Sequence, residues 1–293
     1  MKAFSNVHPI VLMVYFVSVL SITMFITNPL IELLALSGSI FFCVILTGRK
    51  ERREDLKFYL PLLILITITN PLFSHNGQTP LFFMNGNAVT LEAIVYGVAI
   101  AVMVIAVMLW CKSYSHIMTS DKFVYLFARA IPKLSLVLSM ALRYIPMLKR
   151  QSHKVNRTQK AMGLYTSKSY ADRVRSVLRV FSVLIGWSLE NAVETGKSMK
   201  ARGYGLKGRT NYSNFKFQKS DGLLLGENVI LLFVTVMGII SGELDFAYYP
   251  EISQLQFGVM AVISYISFAM LAYLPFFIEV EEAIRWKFYR SKI

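Results

Sequence analysis

The residues with a pattern for binding chemistry lie at 198–209, SMKARGYGLKGR, where Gly203, Gly205 and Gly208 spell G-x-G-x-x-G. That spacing can let backbone N–H groups close around a pyrophosphate, provided a strand precedes the glycines and a helix follows. Here the glycines follow a helical stretch and run into Arg209-Thr210-Asn211-Tyr212, so the dinucleotide reading fails. No G-x-x-x-x-G-K-[ST], G-x-S-x-G or H-E-x-x-H occurs, and within the long basic segment 112–222 the one close pair of carboxylates is Glu190 and Glu194. ATP hydrolysis and metal-assisted hydrolysis are therefore not expected of this chain. His8, His75, His116 and His153 are scattered, and Cys43 and Cys111 fall in or at the end of apolar runs. No metal site, disulfide scaffold or bound cofactor is expected, and no nucleic-acid partner.

Two cationic helix ends remain. Gln159-Lys160-Ala161-Met162-Gly163 and Met199-Lys200-Ala201-Arg202-Gly203 share Lys-Ala-X-Gly, forty positions apart. Glycine in the left-handed conformation is a common helix stop, and cations are favoured beside C-terminal carbonyls. Each end is thus tolerable without any function. Two related ends in one segment point further, to cationic plugs for acidic pockets.

The elements that must position them follow from hydropathy and charge. The chain has 293 residues, 55% of them hydrophobic, with 31 Lys and Arg against 17 Asp and Glu. Mean hydropathy is +0.51. Continuous apolar runs, rather than alternating ones, indicate an all-α polytopic membrane protein. Six spans are expected at about 9–27, 30–47, 58–73, 88–111, 223–241 and 254–277. The first is not a signal peptide: only Lys2 precedes it, and a second span follows directly across Asn28-Pro29.

All the basic residues fall in alternate connections: one in 1–8, five in 48–57, twenty-one in 112–222 and four in 278–293. This positive-inside pattern puts both termini and residues 112–222 in the cytoplasm. Residues 134–148, LSLVLSMALRYIPML, are apolar but short, contain Arg143 and Pro146, and are read as an amphipathic helix at the interface. Glu32, Glu92 and Glu227 lie near span ends, and no carboxylate, Lys or Arg sits at mid-membrane. Ion-coupled transport normally uses such groups.

The expected division is a membrane bundle at 1–111, a cytoplasmic coupling domain at 112–222, and two further spans with a basic tail at 223–293. Within the coupling domain, one helical stretch runs from about 122 to 162, interrupted or kinked at Pro132 and Pro146. A second runs from Tyr170, behind a capping box of Ser169 and Asp172, to Arg202, about 32 residues or ~48 Å. Its ends are charged. Its middle, including Phe181, Leu184, Ile185 and Trp187, is apolar around too much of the circumference for a helix in water. Glu190, Glu194 and Lys197 read as a solvated salt-bridge row. Lys149, Arg150, Lys154, Arg157 and Lys160 form a basic row suited to anionic membrane lipid.

At these residues the sequence resembles the T subunit, the transmembrane coupling component, of energy-coupling factor (ECF) transporters, the CbiQ-like family. Ala201-Arg202-Gly203 matches the second of the family's two Ala-Arg-Gly signatures; Ala161-Met162-Gly163 stands at the first without its arginine. His8-Pro9, Thr69-Asn70-Pro71-Leu72-Phe73 and Leu142-Arg143-Tyr144-Ile145-Pro146 are similar to family features. The resemblance implies two long crossed coupling helices in a multi-pass protein of the prokaryotic cell membrane. It implies an ABC-type importer for a vitamin or other micronutrient. Two cytosolic ATPases would hold the ATP and Mg, and a membrane S subunit would capture the substrate. Docking on the ATPases is expected at Lys160, Ala161, Met162, Gly163, Lys200, Ala201, Arg202 and Gly203. Contact with the S subunit is expected at Leu138, Leu142, Phe181, Leu184, Ile185 and Trp187. The unequal ends suggest two non-identical ATPases; a homodimer with equivalent grooves is the alternative. A stand-alone channel or secondary transporter is the competing function.

Overall fold

A computed structural model describes residues 4–74, 76–84, 87–163, 170–206 and 215–290. Nine α-helices run through them. They are α1 Pro9–Phe25, α2 Pro29–Leu46, α3 Arg49–Phe73, α4 Leu91–Ile117, α5 Ser120–Ala130, α6 Pro132–Ala161, α7 Tyr170–Ala201, α8 Lys219–Ile240 and α9 Val259–Arg290. Strands β1 Pro80–Met84 and β2 Asn87–Thr90 form one antiparallel pair before α4. The chain is an all-α polytopic membrane protein. It divides into two compact units, one of residues 1–119 with 215–293 and one of residues 120–214.

Helix starts in the first unit follow local chemistry. His8 Nδ1 accepts from the Ile10 N–H ahead of Pro9, and Asn28 Oδ1 accepts from the Leu30 N–H ahead of Pro29. Proline suits the first helical position because that N–H has no intrahelical partner. The spans differ from expectation at four starts. α8 begins at Lys219 rather than 223, where Asp221 Oδ2 accepts from the Gln218 N–H at 2.9 Å. α3 begins at Arg49 rather than 58, because the basic segment continues the helix without a break. α4 begins at Leu91 rather than 88, because residues 87–90 are in β2 and the Thr90 hydroxyl caps the Ala93 N–H. α9 begins at Val259 rather than 254, where Glu243 Oε2 accepts from the Ala261 N–H at 2.7 Å.

Six helices are long and apolar enough to cross a membrane: α2, α3, α4, α7, α8 and α9. α1, with 17 residues, is a shorter apolar helix. α7 therefore qualifies by length and composition where the charge pattern reads it as cytoplasmic. It is the least apolar of the six. α6, which contains residues 134–148, is not among them.

The bundle core centres on Phe4, Tyr15, Phe16, Phe42 and Trp110, all 1% exposed or less and meeting edge-on or tilted. Small residues bring backbones together: a Cβ on Gly38 would sit 3.0 Å from the Ala272 carbonyl oxygen, and one on Gly97 2.8 Å from that of Thr67. Such approaches raise dispersion contact where lipid removes the hydrophobic drive between helices. Buried polar groups bond inward. Tyr15 Oη donates to the Leu271 carbonyl, Trp110 Nε1 to that of Ala35, and Asn28 Nδ2 to the Leu244 carbonyl and Tyr265 Oη. Two carboxylates that the sequence reading did not single out, Glu279 and Asp221, accept from the Phe4 and His8 N–H groups and tie the N-terminal segment to α9 and α8.

In the second unit the long first stretch is two helices. α5 ends at Ala130 and α6 opens with Pro132 at its first position, while Pro146 is carried inside α6. The residue before proline is pushed out of the helical region, which places the break at Ile131. Ser135 Oγ bonds the Val124 carbonyl across that corner. α6 packs on α7, and Tyr144 Oη and Thr195 Oγ1 share a hydrogen bond of 3.1 Å. The capping residue expected at Ser169 lies outside the described residues.

Candidate docking surface

α6 and α7 end in the same backbone device. At α7, the Gly203 N–H bonds the Lys200 carbonyl and the Tyr204 N–H the Met199 carbonyl, with Gly203 at φ +74°. These are the two bonds of a Schellman stop, which needs a left-handed residue and hence glycine. At α6, the Gly163 N–H bonds the Lys160 carbonyl with Gly163 at φ +73°. Each stop leaves the residue before glycine on an outward turn. Gly203 and Gly205 thus belong to a helix end and the turn beyond it, and Gly208 lies outside the described residues.

What the ends present differs. Lys200 and Arg202 are exposed, and neither side chain has a hydrogen bond or ion pair among the described residues. Met162 is 69% exposed between exposed Ala161 and Gly163, and Lys160 is exposed beside it. One end therefore offers a free guanidinium and the other a flexible thioether that can fill an apolar groove. Gln159, the first residue of the α6 end, was given no role by the sequence. It is only 5% exposed, and its Oε1 has no hydrogen-bond partner among the described residues. Nothing in the sequence marks it, since its burial depends on tertiary packing.

The apolar candidates divide by exposure. Phe181 and Ile185 are exposed at 60% and 44%, in company with Val177, Leu178 and Leu189 along α7. Leu184 and Trp187 on α7, and Leu138 and Leu142 on α6, are half-buried. A half-covered apolar face this long is what a partner or lipid covers. The salt-bridge row does not form: Glu190, Glu194 and Lys197 make no ion pair among the described residues. An ion pair that does form in this unit is Asp172 with Arg175, exposed and 3.8 Å apart, a geometry worth little. Lys149, Arg150, Lys154, Arg157 and Lys160 are all exposed. Lys122 is buried in α5, and burial pushes its ammonium below the usual lysine range. No cluster of metal-ligating side chains occurs among the described residues.

The family model CbiQ, described as cobalt transport protein, matches residues 2–212. A relative from Listeria innocua serovar 6a, named energy-coupling factor transporter transmembrane protein EcfT, is 34% identical over 97 residues, 32% of this chain and 37% of that protein. The protein of the same name from Lactococcus lactis subsp. cremoris is 30% identical over 109 residues, 36% of this chain and 41% of that one. The chain thus spans about two fifths of the length of these curated relatives. A Lactobacillus helveticus protein, again of that name, is 27% identical over 231 residues, 71% of this chain and 80% of its own length.

Proposed function

Because the chain belongs to the CbiQ family, we propose that it is the transmembrane coupling subunit of an ECF-type ABC importer for a vitamin or other micronutrient. It is non-catalytic. Two non-identical cytosolic ATPases bind ATP and Mg, and the chain passes their motion to a substrate-binding membrane subunit. The supporting names belong to relatives, which are transmembrane proteins of energy-coupling factor transporters. The alternate placement of basic residues supports cytoplasmic termini and a cytoplasmic position for α5–α7.

The observation that carries the reading is Arg202: a cation on a hydrogen-bonded helix stop, exposed and without a side-chain partner among the described residues. In a carboxylate-lined groove it would form a charge-assisted bond that neither end makes alone. Removing one side of such a desolvated pair costs about 2–5 kcal/mol, much of it from the stranded charge. By the same arithmetic affinity falls roughly 30-fold or more. Mutating Arg202→Glu should reduce co-purification of both ATPases to background and abolish uptake, with Arg202→Lys retaining part of each. Normal uptake with both ATPases retained by the charge-reversed variant would overturn the assignment. Transport by the purified chain alone would establish a channel or carrier instead.

A further inference from the structure

Outside the coupling segment, the first unit carries a groove between α2, α3 and α4. Its walls include Ile40 and Val44 of α2, Leu56, Leu60 and Leu63 of α3, and Leu109 of α4, around a cavity of about 370 Å³. That size is at the low end of the ~300–1,000 Å³ of small-molecule sites. The α3 residues recur at helical spacing, from Arg52 through Asp55 and Tyr59 to Leu63, so one face of α3 forms one wall along its length. The eleven steps from Arg52 to Leu63, at ~1.5 Å each, span about 16 Å, close to half of a ~30 Å hydrocarbon core, and the apolar part from Leu56 to Leu63 spans about 10 Å of it.

The groove's basic end is chemically distinct. Asp55 is engaged by Lys112 of α4 in an ion pair that stitches α3 to α4. Arg52, one turn nearer the start of α3, has no such partner. Its Nε is buried without a hydrogen bond among the described residues, and the rest of its guanidinium reaches the surface. A buried guanidinium N–H without an acceptor is a costly state that an anion relieves. Around the same end Arg49, Lys50, Arg53 and Lys57 outnumber Glu51 and Glu54, and Asp55 is neutralised by Lys112, so a net positive potential remains.

We infer that this groove holds one anionic phospholipid, its acyl chain along α3 between Leu56 and Leu63 and its phosphate on Arg52. The membrane supplies such a molecule in the required orientation: headgroup at the basic end, tail against apolar walls. Charge complementarity at Arg52 and an apolar track of about 10 Å beside it together favour a lipid over a soluble anion, which would leave the track unfilled. The inference rests on the membrane placement of the first unit and not on the coupling role. Failure of the Arg202 experiment would leave it standing.

The test uses the full-length chain with its co-purifying subunits, in mild detergent, titrated with phosphatidylglycerol or phosphatidylcholine of matched chains and read by native mass spectrometry. One phosphatidylglycerol should be retained with roughly tenfold preference over phosphatidylcholine. Arg52→Ala should erase the preference and Arg52→Lys should restore part of it, while Arg53→Ala, at the exposed neighbouring position, removes only a screened surface charge and should lower it by less than about twofold. Leu60→Trp, which narrows the track and leaves Arg52 in place, should lower retention of both lipids. Equal effects of Arg52→Ala and Arg53→Ala would show a diffuse field and no site. Displacement by millimolar inorganic phosphate would show an anion site without a lipid. Cross-linking of a benzophenone at position 60 to a polypeptide rather than to lipid would assign the groove to a protein partner. Any of these three results overturns the proposal.

Discussion

The ends of α6 and α7 share a backbone and differ in one side chain. Both stop on a glycine near φ +70°, both place Lys two residues before the outward residue, and one then presents Met162 where the other presents Arg202. The shared part sets where the tip points; the variable part sets what it can bind. If recognition resides in that one position, exchanging it should transfer the property. Arg202→Met is expected to weaken retention of the ATPase docked at α7 by roughly 30-fold, from the ~2 kcal/mol lower bound for stranding a partner carboxylate. Met162→Arg should change retention of the other ATPase by less than threefold if an acidic group there lies within reach, and more if its groove is apolar throughout. Quantitative pull-down of each ATPase separately measures both. A loss from Arg202→Met matched by a gain from Met162→Arg would show acidic groups at both docking sites and favour equivalent grooves.

The exposed middle of α7 sharpens the contrast from another side. Phe181 and Ile185 lie sixteen or more residues before the helix end, on a face without charge at those positions. Ile185→Asp should leave ATPase co-purification within twofold of the parent but cut substrate uptake about tenfold or more. A buried carboxylate at a lost apolar contact is the mechanism. Loss of both ATPases in that variant would mean that α7 misfolds or that its middle is part of the ATPase contact. Circular dichroism of the purified variant separates those two causes, because only misfolding lowers the helical signal.

Much of this architecture was legible because its signals are local. Long apolar runs mark the spans, Lys and Arg mark the connections between them, and glycine after Lys-Ala-X marks the two stops. The break at Ile131 was half legible: Pro132 announces a boundary, but a proline can also be carried within a helix, as Pro146 is. The strand pair before α4 had a signal that went unread, Asn85-Gly86 between two short runs rich in strand formers. The start of α9 had none. Its cap is Glu243, eighteen residues before the N–H that it accepts, and only the folded connection brings them together. The same holds for Arg52, whose basic neighbours read as one charge cluster in sequence. What separates it from Arg53 is that one guanidinium is partly buried in the groove and the other is exposed. Exposure also separates Phe181 and Ile185 from Leu184 and Trp187, which hydropathy alone cannot do.

The smallest effects are expected at the glycines, where the two ends should agree in stability and disagree in binding. Alanine at a left-handed position costs roughly 1–2 kcal/mol. Among the described residues a Cβ at Gly163 meets nothing within 4 Å, and one at Gly203 meets only the Leu206 side chain, nearest at Cδ1, 3.1 Å away. Leu206 is 72% exposed and free to rotate away, so its contribution to the difference should stay below about 0.5 kcal/mol. Gly163→Ala and Gly203→Ala should therefore loosen the last turns of α6 and α7 by similar amounts, read as similar increases in amide hydrogen exchange there. Binding should not follow stability. Arg202 needs a fixed origin to reach its acceptor, whereas Met162 can re-pack through three rotatable bonds. Gly203→Ala should then weaken ATPase retention several-fold more than Gly163→Ala, and Gly203→Asn should recover most of the loss, because asparagine tolerates the left-handed conformation. Similar losses from both alanines would mean that the stop, and not the residue it presents, determines docking.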